Sequence, residues 1–195
     1  MWKLLLLVAL IGWGAYSSWN ARPVSYGPGV AAPQAPVQRE VSATPSFDYK
    51  GYRISPLAMF SVEARVLGRE DYLLGREADL ARTDLVLGWS RMSDKAVLDK
   101  IDIGQSNRFA YWNVKEFPIP QREIETSSAN MHMIPANSAI EGKLKQIRKG
   151  QVVHLRGYLV RVDASDGWRW VSSLTREDTG AGACELVWVE ELDSL

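Results

Sequence analysis

His132 sits between Met131 and Met133, in the run SSANMHMIPAN from Ser127 to Asn137 that also carries Ser128 and Asn130. An imidazole titrates near neutrality and accepts a hydroxyl proton where geometry allows, so this run reads as a loop able to carry a hydrolase centre. His132 would be its base, with Ser128 or the lone thiol, Cys184, as nucleophile. The plainer reading is preferred for both: His132 and Asn130 bond loop backbone while the methionines pack, and Cys184 is a small buried hydrophobe beside Leu186 and Trp188.

Two further groups could bind without reacting. Arg176 and Asp178 precede the Gly-rich run Thr179 to Gly182, whose amides, with Arg176, could receive an anion; a salt-bridged turn is the competing reading. No phosphate loop is present, because the Gly-Lys-Ser/Thr ending is missing. Trp168 and Trp170 stand two residues apart on one strand face, which suits either an aromatic platform for sugar or peptide or a packed core. His154 and Arg156 share a face of another strand and read as plain polar surface. Two histidines and one cysteine, with no acidic cluster at ligand spacing, argue against a zinc site, and no cofactor is expected.

The elements that would position these groups centre on Ser138 to Leu192. Ser138 and Glu141 form a capping box for a helix that buries Ile140, Leu144 and Ile147 and ends at Gly150. Lys143, Lys145, Arg148 and Lys149 take its other side. They are read as solvated, with anionic lipid the second choice, limited by a long linker. Gln151 to Val162 alternates as a strand with Val153, Leu155 and Leu159 inward and a bend or bulge at Gly157. Ala164 to Gly167 turns it, Trp168 to Thr175 returns, and Cys184 to Leu192 closes a meander. Upstream, Met59 to Leu67 reads as a strand, Asp84 to Trp89 as a short apolar piece, Asp94 to Lys100 as a short helix capped by Ser93, and Gln105 to Val114 as extended chain.

The N-terminus differs in kind. Residues 1–19 hold a basic start and an apolar run just long enough to cross a bilayer, which needs roughly 17 to 20 residues. An uncleaved signal anchor is favoured over a cleaved signal, since Trp19 suits the interface. Residues 20–46 contain five of the chain's nine prolines and read as a disordered spacer. Residues 47–195 are left as one globular domain. Zero formal net charge removes the footprint of a nucleic-acid binder, and one cysteine excludes an intrachain disulfide.

The segments TSSANMHMIPAN (126–137), GYLVRVD (157–163) and GWRWVSSLTREDTGAGACELVWVEEL (167–192) resemble those of an uncharacterised family of single-pass bacterial envelope proteins. The resemblance implies no catalytic residues. Separately, a helix feeding a hairpin and a closing strand is similar to the second half of an OB-type small barrel.

The expectation is therefore an α+β, mainly β chain: a small OB-like, partly closed barrel with one main amphipathic helix behind an anchor and linker. Its function would be that of a membrane-tethered periplasmic binding or assembly module. It would be held in the bacterial inner membrane through residues 2–19 and meet an envelope protein or glycan. A periplasmic hydrolase centred on His132 and a glycan- or peptidoglycan-binding module are the alternatives. The residues expected at a binding site are Asn130, His132, Arg176, Asp178, Trp168 and Trp170.

Overall fold

A computed structural model describes residues 22–42, 44–178 and 182–195, with Trp2, Leu6, Leu7, Gly12 and Gly14 before them. In chain order it places β1 (Val37–Glu40), β2 (Phe47–Tyr49), β3 (Tyr52–Asp71), α1 (Arg76–Leu80) and β4 (Thr83–Gly88). A single 3-10 turn (Ser90–Ser93), α2 (Lys95–Leu98), β5 (Ile101–Ser106), β6 (Phe109–Val114) and α3 (Gln121–Thr126) follow. The last third holds β7 (Ser128–Pro135), α4 (Ser138–Gln146), β8 (Val152–Asp163), β9 (Arg169–Val171) and β10 (Glu185–Ser194). The chain is α+β and mostly strand.

Five strands return on themselves. β3 pairs antiparallel with β4, β4 with β7, β7 runs parallel to β10, β10 pairs antiparallel with β8, and β8 pairs with β3. β1 and β2 extend β3, and β9 extends β8. The expected meander is not what forms, because β9 and β10 take successive stretches of the same edge of β8, 161–163 and 153–159, and the other neighbour of β10 is β7. What closes the ring is the length of β3, 20 residues against the usual ten or fewer. Its register slips between Pro56 and Ala58 and between Val66 and Gly68, and each slip bends the strand toward a new partner. Gly157 has the same purpose on β8. A Cβ there would fall on the Trp188 carbonyl, opposite the slip in β10 between Val189 and Glu191.

Period-two alternation decides which side chains face inward. Phe60, Val62, Leu85, Leu87, Met131, Met133, Leu155, Leu159, Val187 and Val189 fill the ring. Helix α4 closes one end by adding Ile140, Leu144 and Ile147, each worth about 1.5–3 kcal/mol on full burial. Its cap is Asn137, whose side chain accepts from the amides of Ala139 and Ile140, and not Ser138; Glu141 instead pairs with Lys145 at 2.7 Å. The helix ends at Ile147, short of Gly150, because Arg69 Nη1 donates to the Leu144 and Ile147 carbonyls at 2.7 Å each.

Other expectations shift for local reasons. The 127–137 run is strand β7, because Met131 and Met133 point in while Asn130 and His132 point out, an alternation its polar residues disguise. Residues 105–114 contain a hairpin turn, with Asn107 and Arg108 at φ of 50° and 70°. The short helix after Ser93 is capped by Asp94, which accepts from the Ala96 amide.

The segment expected as a spacer is laid along the domain. Val24 N donates to Lys149 O, Ser90 N to Ala32 O, and Tyr26 Oη to Leu195 O, while Ala32 is fully buried and β1 pairs with β3. Proline keeps this stretch extended, and extended chain is also what pairs with an edge. The expected anchor lies outside the described residues apart from five positions. Among the described residues no helix is long and apolar enough to cross a membrane.

Candidate functional site

The insertion between β4 and β7 folds against the outside of the ring. Ile101, Ile119 and Ile124 pack there with Leu67, Val86 and Met92, and Trp112 leans on them. The β5–β6 hairpin so held stands away from the ring face along one side. Between it, the start of β7 and the chain leading into β10 opens a cleft of about 380 Å³. Phe109, Tyr111 and Trp112 form its aromatic wall; Ser128 and Asn130 come from β7, and Arg176, Asp178, Cys184 and Glu185 from the opposite side. Phe109 and Tyr111 are 45% and 57% exposed, unusual for rings with so much core nearby.

Polar bonds latch the hairpin to the ring. Asp84 on β4 is opposite His132 on β7, both outward. Arg108, in the hairpin turn, donates from Nη1 to Asp84 Oδ1 and to Ala81 O, each at 2.7 Å, and its guanidinium lies 4.0 Å from the Tyr72 ring centre. His132 Nδ1 lies 2.9 Å from Asp84 Oδ2, off the line of a good hydrogen bond. Asn130 joins the same latch: its Oδ1 accepts from Gln105 Nε2 and its Nδ2 donates to Arg108 O, both at 2.8 Å.

Two groups at the cleft have shifted titration. Burial pushes the Cys184 thiol up to about 11, against the hydrogen bond it accepts from Asn130. Burial likewise raises Glu185 to about 7, although Arg176 Nε lies 3.0 Å from its Oε1 and draws it back. Glu185 Oε2 has no hydrogen-bond partner among the described residues. Arg176 also donates to Gln38 Oε1 and covers Phe60, so it fills one end of the ring.

The residues singled out in the sequence separate into two places. Asn130, Arg176, Asp178, Ser128 and Cys184 line the cleft. His132, Trp168 and Trp170 lie outside its lining: Trp170 packs on His132 with ring centres 4.8 Å apart, and Trp168 packs on Arg76 and Tyr52. Ser128 Oγ donates to Ile124 O, and among the described residues no hydroxyl or thiol hydrogen-bonds His132. Among the described residues no three His, Cys, Asp or Glu side chains stand close enough to hold a metal. Sequence reasoning passed over Phe109, Tyr111, Glu185, Arg108 and Asp84. The aromatic spacing of the first two was visible, but nothing local to Asp84 or Arg108 announces a partner 24 residues away.

Comparison with known proteins found no matching family model, curated sequence or solved structure. The cleft must therefore be read from its own chemistry. Flat rings on one side and amide, guanidinium and carboxylate groups on the other suit a ligand with apolar faces and hydrogen-bonding edges.

Proposed function

We propose that the chain is a non-enzymatic binding module of the bacterial envelope, tethered to the inner membrane by its N-terminal run and presenting the hairpin cleft to a periplasmic ligand. Its ring would be an OB-type small barrel. In favour of that, the strand order β3-β4-β7-β10-β8, the one parallel pair and the helix between the third and fourth ring strands are those of the OB arrangement. OB folds bind on the face of their second and third strands and the loops beside it. The observation that carries the reading is that the cleft lies against β4 and β7, the corresponding strands, and against the connection entering β10.

The ligand class that fits is a sugar ring or amide-bearing envelope fragment. The test is a titration of isotopically labelled protein with muramyl dipeptide, which carries both groups. Saturable shifts at Tyr111, the Trp112 indole and the Asn130 amide are expected, and Tyr111→Ala should weaken binding about tenfold, the equivalent of one lost ring contact. Shifts confined to other surfaces, or none, would refute the cleft as the seat. Fractionation with protease shaving tests the location separately.

The hydrolase reading gains no support from this geometry. The half-buried thiol is protonated at neutral pH, and His132 faces a carboxylate and an indole rather than a nucleophile. The platform imagined on Trp168 and Trp170 is likewise half-buried under neighbouring side chains.

A further inference from the structure

A groove of about 1190 Å³ runs along the end of the ring that α4 closes. Arg69, Lys143, Lys145, Arg148 and Lys149 line it, against the carboxylates of Asp71 and Asp193. In a chain with 23 cationic and 23 anionic side chains this is a local surplus of positive charge. Lys143 and Lys145 are more than half exposed, and their partners Asp193 and Glu141 hold them in surface ion pairs. Such pairs are weak enough for another anion to compete.

The N-terminal segment docks at the rim of this groove. Val24 N donates to Lys149 O at 2.8 Å, and the next residue, Gly150, has φ +92° and no room for a Cβ, which would fall on the Val24 carbonyl. Anything upstream of Val24 therefore departs beside Lys149. The apolar run ends at Trp19, and five residues span at most about 18 Å. A free spacer would let the domain swing; residues 24–40, held to the domain at Val24, Tyr26, Ala32 and β1, do not.

We infer that the basic groove rests on the anionic headgroups of the bilayer that holds the N-terminal run. This rests on the anchoring reading above. Lys and Arg beside a membrane-embedded segment attract anionic lipid within about a Debye length, roughly 8–10 Å, and a connection of at most about 18 Å lets the groove reach that range, where the attraction then keeps it. The domain is thereby oriented, with the end of the ring that carries α4 toward the membrane.

The full chain is placed in nanodiscs of phosphatidylcholine alone or with phosphatidylglycerol, and amide exchange is followed over residues 143–150. Exchange slowed about fivefold in the anionic discs, reversed by high salt and absent from a Lys143→Gln/Lys145→Gln/Lys149→Gln variant of unchanged melting temperature, is the expected result. Equal exchange in the two discs overturns the inference and leaves the anchoring reading standing. Recovery of the chain outside the discs overturns both. Equal protection by soluble glycerol 3-phosphate in neutral discs also overturns it, in favour of a free-phosphate site.

Discussion

Asp84→Asn changes one oxygen to an amide at a fully buried position and removes the charge that Arg108 and His132 share. Removing one partner of a buried ion pair costs about 3–5 kcal/mol, because the other charge stays desolvated. Arg108 retains 18% side-chain exposure and its bond to Ala81 O, so the low end, about 3 kcal/mol, applies. For a folded part of this size that lowers Tm by about 6–12 °C. Urea denaturation followed by tryptophan fluorescence measures it, in a cycle with Arg108→Met and the double variant. The two losses should fall short of additivity by about 2 kcal/mol. Additive losses, or losses each below about 1 kcal/mol, would mean that water reaches the pair and that the hairpin is held by Ile101, Trp112 and their neighbours alone.

Glu185 gives a pH dependence of fixed sign. Its folded value, raised to about 7, exceeds the unfolded carboxylate range, so the folded state holds the extra proton and loses stability as pH climbs from about 4.5 to 7. Glu185→Gln should remove that fall, worth at most about 3 kcal/mol, and a difference between the proteins that does not change with pH would refute the assignment. Gly150→Ala should cost more than about 1 kcal/mol from positive φ alone and should expose residues 22–42 to protease; unchanged cleavage there would mean that Val24 is held elsewhere. Cys184 should alkylate at pH 8 more than about a hundredfold slower in the native chain than in urea, and comparable rates would place the thiol in water.

The helix α4, the strands β8 and β10 and the middle of β3 were legible because each writes its own period, whereas β4 showed only as a short apolar piece. Leu144 lies four residues from Ile140, and Leu155 two from Val153, whatever else the chain does. Asn130, Arg176 and Asp178, singled out in the sequence as polar groups able to bind, all line the cleft. Their grouping with Phe109 and Tyr111 was not legible, because the hairpin that carries those rings meets β7 only through contacts distant in sequence.

By itself the sequence determined local geometry and the phase of each strand, since backbone sterics and side-chain alternation act over a few residues. It also determined the charge balance and the apolar character of the N-terminal run. Tertiary structure alone decided that β10 inserts between β7 and β8, that Asp84 meets Arg108, and that residues 22–42 lie on the domain. These outcomes follow from burying polar groups only where a partner stands. Which partner stands there is settled by how the whole ring closes.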